Sequence, residues 1–223
     1  VVWTVDGHGL RTDTLDLIRQ LNPTMIRYPG GNFASGYHWE DGIGPLDKRP
    51  VRHDAAWQAE ESNRVGTDEF LQFCEEIGSE PVLVVNDGSG TPEEAARWVS
   101  YCNSPADTEQ GARRDFNGHP EPYNVKYWGL GNEVWGPWQI GTTSAEGYCK
   151  RAKRFIRQMR EIDPSIKFIA VGHSPLTDEP DDEAFRWNEG ILRELGDEIE
   201  YLSWHIYQPD REDWQEFYDP IQL

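Results

Sequence analysis

Glu133 is the residue of this sequence whose surroundings best suit acid–base chemistry. It lies in the run YWGLGNEVWGPWQIG (127–141), in which Trp128, Trp135 and Trp138 crowd the carboxylate. Apolar walls disfavour the charged form of a carboxyl group and so raise its pKa, as a general acid that works near neutral pH requires. Surface glutamates without a catalytic role are far more common than catalytic ones, so the neighbours of Glu133 must decide between the two interpretations.

Asn132 and the indole rings favour the catalytic interpretation. An asparagine directly before an acid can hydrogen-bond a sugar 2-hydroxyl, and this contact strengthens as an oxocarbenium-like transition state forms. Flat indole faces also suit the apolar C–H faces of sugar rings. The pattern therefore predicts that Glu133 donates a proton in glycoside hydrolysis.

The elements that must position these residues alternate between short β-branched or aromatic runs and longer amphipathic segments, which is typical of an α/β fold with a parallel sheet. Helices are predicted over 12–21, 67–77, 91–102, 144–162 and 183–195, and strands over 24–28, 81–86, 125–130, 167–171 and 200–205. A long loop over 29–66 and a polar connection over 103–122 complete the pattern. The length of 223 residues predicts one folding unit.

Polar and aromatic residues follow the carboxyl ends of all five predicted strands, as in a (β/α)₈ barrel. An open doubly wound sheet would usually carry a glycine-rich phosphate turn, and the sequence has no such motif. The strand-end residues are Gly30, Gly31 and Asn32, then Asn86 and Asp87, then Asn132 and Glu133, then His173 and Ser174, and finally His205 and Tyr207.

Composition excludes several classes of partner and cofactor. A formal net charge of −19 repels phosphate backbones and anionic lipid, which argues against nucleic acid and membrane partners and favours a neutral substrate. The six histidines are scattered without metal-ligand spacing, so no metal or other cofactor is expected. Three cysteines without a disulfide pattern favour a cytoplasmic location, with secretion as the alternative.

Several runs together resemble glycoside hydrolase family 51, the α-L-arabinofuranosidases. The runs are IRYPGGNFASGYHWEDGIGP (26–45), VGTDEF (65–70), VVNDGSG (84–90), YCN (101–103), YWGLGNEVWGPWQIG (127–141) and SWHIY (203–207). RYPGGNF combined with GNE and GPWQIG is much more specific than GNE, which many clan A barrels share. The resemblance implies that the five strands are barrel strands two to six and that Glu133, after Asn132, is the acid/base at the end of strand four.

The resemblance also implies a substrate pocket. Asn32 and Tyr207 are expected to line it with His205 beside them, while Trp39 and Trp138 are expected to wall the sugar site. Each has a structural alternative: a turn-stabilising role for Asn32, a core aromatic for Tyr207, a satisfied structural histidine for His205, and a cap over the core for either tryptophan. Asn86 is a weaker candidate because Asp87-Gly88-Ser89-Gly90 departs from the usual family sequence.

A retaining enzyme of this family needs a second carboxylate about 5 to 5.5 Å from the acid/base. The resemblance places that nucleophile at the end of barrel strand seven, and neither Glu212 nor Glu216 has a strand-end context. Residues 1–223 are therefore expected to form a partial (β/α)₈ catalytic barrel without the family's C-terminal β-sandwich. We expect the isolated chain to be inactive and its outer strands to pair with a complementing barrel fragment or in a homo-oligomer.

The implied activity is removal of terminal α-L-arabinofuranosyl residues from arabinoxylan or arabinan. Two alternatives stay open: an endo-β-1,4-glucanase of the same family, and a carbohydrate-binding or scaffold fragment without turnover. A closed pocket would favour the first activity, whereas an open groove would favour the endo-glucanase.

Overall fold

A computed structural model describes residues 10–173 and 182–205. The helices are α1 (Thr12–Leu21), α2 (Thr67–Ile77), α3 (Pro92–Asn103), α4 (Glu109–Phe116), α5 (Ala145–Ile162) and α6 (Asp182–Leu195). The strands are β1 (Met25–Tyr28), β2 (Arg52–Asp54), β3 (Ala59–Glu61), β4 (Glu80–Val84), β5 (Tyr127–Gly129), β6 (Lys167–Ala170) and β7 (Tyr201–Leu202). The five predicted strands and the five predicted helices are confirmed, with ends that differ by a few residues.

Five strands form one parallel sheet in the order β1-β4-β5-β6-β7, so strands that follow one another around the sheet also follow one another along the chain. Each crossover between neighbouring strands of this sheet runs through at least one helix, as the repeated βα unit requires. The described strands do not close a barrel. The architecture is an incomplete (β/α)₈ barrel, as predicted, while the pairing of its outer strands with further strands stays a prediction.

The hydrophobic core lies between the sheet and the helices. Alternate strand residues such as Leu83, Trp128 and Phe168 are fully buried among side chains of α3 and α5. Their neighbours in the sequence point to the concave face, where the rings of Tyr127 and Tyr201 lie 6.1 Å apart. The side of the sheet that faces the helices therefore supplies the packing of the main hydrophobic core.

The predicted polar connection over 103–122 contains the helix α4, which the sequence interpretation missed. Its buried anchor is the guanidinium of Arg114, which donates hydrogen bonds to four backbone carbonyl oxygens at 2.7 to 3.0 Å. These acceptors belong to Tyr101, Ser104, His119 and Pro120. Hydrophobic periodicity cannot reveal a helix whose most buried side chain is charged.

The predicted loop over 29–66 is ordered by short elements. It contains three 3₁₀ turns and the antiparallel hairpin β2-β3. Arg52 holds the hairpin to Asp41 through two hydrogen bonds of 2.7 and 2.9 Å, and Arg49 binds both carboxylate oxygens of Glu69 at the start of α2. Charged side chains therefore fix this segment, which explains why it lacks the alternating apolar pattern of a strand.

Candidate active site

The carboxyl ends of the parallel strands place the strand-end residues along one edge of the sheet. Asn32 follows β1, Asp87 follows β4, Glu133 follows β5, His173 follows β6 and His205 follows β7. Tyr207, another predicted pocket residue, lies outside the described residues. The segment over residues 131–141, which carries Asn132, Glu133 and Trp138, is called the acid loop below.

Asn132 is held by two other residues at this edge. Its Nδ2 donates a hydrogen bond to Oδ1 of Asn32 at 3.2 Å, and its Oδ1 accepts one from Nη2 of Arg27 at 2.5 Å. Only 1% of Asn132 is exposed. The structure thus brings Asn32 and Asn132 together, with both ends of the Asn132 amide oriented by a partner.

Glu133 is buried at the start of the acid loop, with 6% of its surface exposed. Its backbone adopts φ +44°, a left-handed conformation that glutamate rarely takes and that costs roughly 1 to 2 kcal/mol. Gly131, two residues earlier, has φ +98°, which strongly favours glycine. The chain therefore makes two unusual turns that direct the carboxyl group inward.

His205 lies against the carboxyl group of Glu133. Nδ1 of His205 and Oε1 of Glu133 form a hydrogen bond with a length of 2.7 Å. This hydrogen bond links the end of β7 to the end of β5, two strands separated in the sheet by β6. His205, which had been predicted beside the pocket, thus contacts the predicted acid/base itself.

Aromatic rings form one wall beside Glu133. Trp135 stacks on His173, with ring centroids 3.8 Å apart, and donates a hydrogen bond from Nε1 to the carbonyl oxygen of Gly172. Trp138 meets Trp135 edge to face and keeps 52% of its surface exposed. Its ring lies over Gly136, where a Cβ would come within 2.6 Å of the indole. An exposed indole in this position can offer a face to a ligand.

Two other tryptophans that the sequence associated with the site lie in the core. Trp39 is 1% exposed, stacks on Trp98 and donates a hydrogen bond from Nε1 to the carbonyl oxygen of Glu94. Trp128 is fully buried and meets Trp98 edge to face. Their placement favours the alternative role, a cap over the core for Trp39, because neither indole offers a face to solvent.

Arg27 and Gln139 belong to this site although the sequence interpretation assigned them no role. Nε2 of Gln139 donates hydrogen bonds to Oγ of Ser35 at 2.5 Å and to the carbonyl oxygen of Asn32 at 3.4 Å. Gln139 lies in the GPWQIG run, and Arg27 is a charged residue inside a short strand, so each left a weak signal in the sequence.

Trp57, at the tip of the β2-β3 hairpin, is 64% exposed and lies near Gly31.

A cavity of about 360 Å³ lies under the β2-β3 hairpin. Its lining includes the apolar side chains of Phe33 and Ile140 and the carboxylates of Asp41, Asp54 and Glu61. Because Phe33 directly follows Asn32 and Ile140 belongs to the acid loop, the cavity adjoins the candidate site.

Asp87 is the second carboxylate at a strand end. Burial raises its pKa from the ordinary 3.8 to about 7, although the nearby Arg151 guanidinium acts in the opposite direction. Oδ2 of Asp87 accepts a hydrogen bond from Nη2 of Arg151 at 2.9 Å. A carboxylate held in this way is poorly suited to attack a substrate.

Within residues 10–173 and 182–205, no group of histidine, cysteine, aspartate and glutamate side chains could hold a metal ion. No helix in the same ranges is long and apolar enough to cross a bilayer.

The arrangement of side chains around Glu133 is suited to proton transfer, because a buried carboxyl group lies beside oriented amides and an aromatic wall.

The chain is similar to α-L-arabinofuranosidases in sequence and in structure. The family model described as "Alpha-L-arabinofuranosidase 1 domain" matches residues 17–221. Alpha-L-arabinofuranosidase C of Emericella nidulans is 50% identical over 167 residues, which are 75% of this chain and 33% of that protein. An intracellular exo-alpha-(1->5)-L-arabinofuranosidase of Halalkalibacterium halodurans is 40% identical over 210 residues, which are 93% of this chain and 41% of that protein.

A solved structure extends the similarity to the fold. The α-L-arabinofuranosidase from Thermotoga maritima, determined as an arabinose complex, has a TM-score of 0.86 and 46% identity, covering 96% of this chain and 44% of that one. The chain thus spans between 33% and 44% of the length of these three relatives.

Proposed function

Because the chain belongs to the α-L-arabinofuranosidases of glycoside hydrolase family 51, we propose that it supplies the acid/base part of a retaining glycosidase site. The proposed reaction removes terminal α-L-arabinofuranosyl residues from arabinoxylan or arabinan. The observation that carries the proposal is the meeting of Asn32, Asn132 and Glu133 at the carboxyl edge of the sheet, with the carboxyl group buried and held by His205.

In the proposed mechanism, Glu133 first protonates the glycosidic oxygen as the bond to the arabinofuranosyl carbon breaks. It then acts as a base and removes a proton from the water that attacks the glycosyl-enzyme intermediate. His205 fixes the orientation of the carboxyl group, while Asn132 and Asn32 are proposed to bind sugar hydroxyls. Trp138 is proposed to pack against the ring of the sugar.

The nucleophile is proposed to come from outside residues 1–223. Among the described strand ends, β5 is the one that carries a glutamate, and Asp87 is tied to Arg151. Glu212 and Glu216 lie outside the described residues. Residues 1–223 would then act as a portion of one catalytic barrel, and a cytoplasmic location would suit its three buried free thiols.

Two activity assays test this proposal. The chain alone should release no arabinose from 4-nitrophenyl α-L-arabinofuranoside. A chimera in which residues 17–221 replace the matching segment of the Thermotoga maritima enzyme should turn the same substrate over, since the two chains superpose with a TM-score of 0.86.

Glu133→Gln in that chimera should lower turnover by about 10² to 10⁴-fold because the proton donor is lost. Glu146→Gln is the matched control, since this glutamate is exposed on α5 and pairs with Lys150. A folded, active chimera that Glu133→Gln leaves unaffected would overturn the acid/base role. If the isolated chain turns the substrate over and Glu133→Gln abolishes that turnover, the proposal that the nucleophile lies outside residues 1–223 is wrong.

Calorimetric titration of the isolated chain separates the remaining alternatives. Binding of arabinose but not of cello-oligosaccharides supports the arabinofuranosidase, whereas the reverse preference supports the endo-glucanase. Binding of arabinose together with an inactive, well-folded chimera would leave a carbohydrate-binding fragment as the better description.

A further inference from the structure

An ion pair with a buried carboxylate contacts the acid loop. Asp87, which follows β4, pairs with Arg151 of α5, and the exposed fractions of the two side chains are 4% and 24%. The pair therefore connects a strand end to a helix. The mechanism proposed above uses neither residue.

The pair contacts both ends of the acid loop. Nη1 of Arg151 donates a hydrogen bond to the carbonyl oxygen of Gly141 at 2.9 Å. Oδ1 of Asp87 packs against Gly131 so closely that a Cβ at residue 131 would lie 2.1 Å from it. Gly131 and Gly141 both have positive φ, +98° and +79°, so the chain turns sharply where the pair touches it.

The pair is poorly built for stability alone. Within the described part of the chain, Oδ1 of Asp87 and Nε of Arg151 are buried atoms without a hydrogen-bond partner. Removing two charges from water costs several kcal/mol, and their attraction repays this only when the remaining polar atoms are satisfied. A positioning role explains such a pair better than a stabilising one does.

We infer that the Asp87–Arg151 pair is a clamp that fixes the conformation of the acid loop, so that both are positioning residues for Asn132 and Glu133. Gly131 immediately precedes Asn132 and lies two residues before Glu133, so a shift of Gly131 moves both side chains. The consequence for sugar binding rests on the proposed function. The effect on the loop itself does not.

Hydrogen exchange in the full chain tests the clamp. Arg151→Met should raise the exchange rates of the Gly136, Gln139 and Thr143 amides by about tenfold or more, because these amides are bonded within or next to the acid loop. Exchange in α3 and β6 should stay unchanged. The matched control is Arg160→Met, which removes an ion pair with Glu198 at the other end of α5.

Unchanged exchange in the acid loop would overturn the clamp, and so would a rise of equal size in α3 and β6, since that would reflect general loss of stability. If Arg151→Met does not fold, Asp87→Asn, which keeps the shape of the side chain, gives the same test. The double variant should raise loop exchange no further than Arg151→Met does. Additive effects of the two substitutions would contradict a shared role.

Arabinose titration then separates this inference from the proposed function. If the unaltered chain binds arabinose, Arg151→Met should weaken the affinity by about fivefold or more and Arg160→Met should leave it unchanged. Weakened affinity with unchanged loop exchange would contradict the clamp. If the unaltered chain binds no arabinose, the proposed function fails, and loop exchange still decides the clamp.

Discussion

Two regions of the molecule are built on opposite principles. One is the layer between the sheet and the helices, and the other is the carboxyl edge of the sheet. In the first, the large side chains of Trp98, Trp128 and Phe168 are buried, and both indole N–H groups donate hydrogen bonds. At the edge, Glu133 adopts a left-handed backbone, and three of the four buried polar atoms without partners in the described residues belong to Asp87, Gln139 and Arg151. Strain and unsatisfied groups concentrated in one place are typical of a functional site.

Substitution of Trp39 is the test of this comparison with the largest expected effect. Trp39→Ala should lower the free energy of unfolding by about 3 to 5 kcal/mol, because a buried indole that stacks on Trp98 is replaced by a cavity. Urea denaturation measures the loss. A change below about 1 kcal/mol would place Trp39 outside the core and restore it as a candidate wall of the sugar site.

Asp87 predicts a pH dependence of stability that originates at the edge. Its pKa is about 7 in the folded chain and 3.8 ordinarily, so the folded state binds this proton more tightly than the unfolded state does. The cost of the ionised carboxylate is absent below about pH 4, grows as pH rises, and is complete above about pH 7, reaching a few kcal/mol.

The difference in unfolding free energy between the unaltered chain and Asp87→Asn isolates this contribution from other titrating groups. We expect the unaltered chain to lose stability relative to the variant as pH rises from about 4 to about 7. A flat difference over that interval, measured by urea denaturation, would mean that Asp87 stays ionised in the fold.

Trp138→Ala should weaken arabinose binding and leave stability almost unchanged, whereas Trp39→Ala should lower stability. Since 52% of Trp138 is exposed, its loss should change the unfolding free energy by no more than about 0.5 kcal/mol. Arabinose affinity should weaken by about 1 kcal/mol as the aromatic face disappears. Denaturation and calorimetry measure the two quantities. A substantial loss of stability with unchanged arabinose affinity would mean that Trp138 contributes to the core and not to sugar binding.

Gly136→Ala is the smallest and most local perturbation. A Cβ at residue 136 would lie 2.6 Å from the Trp138 ring, so the indole must move while the fold persists. We expect a drop in arabinose affinity of about twofold to threefold and an unfolding free energy lower by about 1 kcal/mol. Ala184→Gly, on α6, serves as a control for glycine and alanine exchange in general, and it should leave affinity unchanged.

The sequence predicted the packed layer well because that layer follows simple periodic rules. Apolar residues at helical spacing identified α2, with Phe70, Leu71, Cys74 and Ile77 all buried. Runs of β-branched residues likewise identified β4. Segments fixed by charge were missed, as Arg114 in α4 and Arg52 in the hairpin illustrate, because no periodic pattern records which carbonyl or carboxylate a guanidinium will reach.

The candidate site divides in the same way. The places of Asn32 and Asn132 at the ends of parallel strands were predicted, and such ends meet at one edge, although the hydrogen bond between them was not predicted. The hydrogen bond between His205 and Glu133, the core position of Trp39 and the Asp87–Arg151 pair required three-dimensional placement. Sequence alone gives the edge at which a side chain starts, but not the direction in which it extends.

The left-handed backbone at Glu133 has a consequence for protein engineering. Glycine at this position would relax the chain by roughly 1 kcal/mol, so a library screened for heat resistance alone would favour variants that discard the carboxyl group. Such a screen should therefore be run on the chimera and paired with selection for turnover at every round. Without it, the most stable descendants would be those that had lost the proposed proton donor.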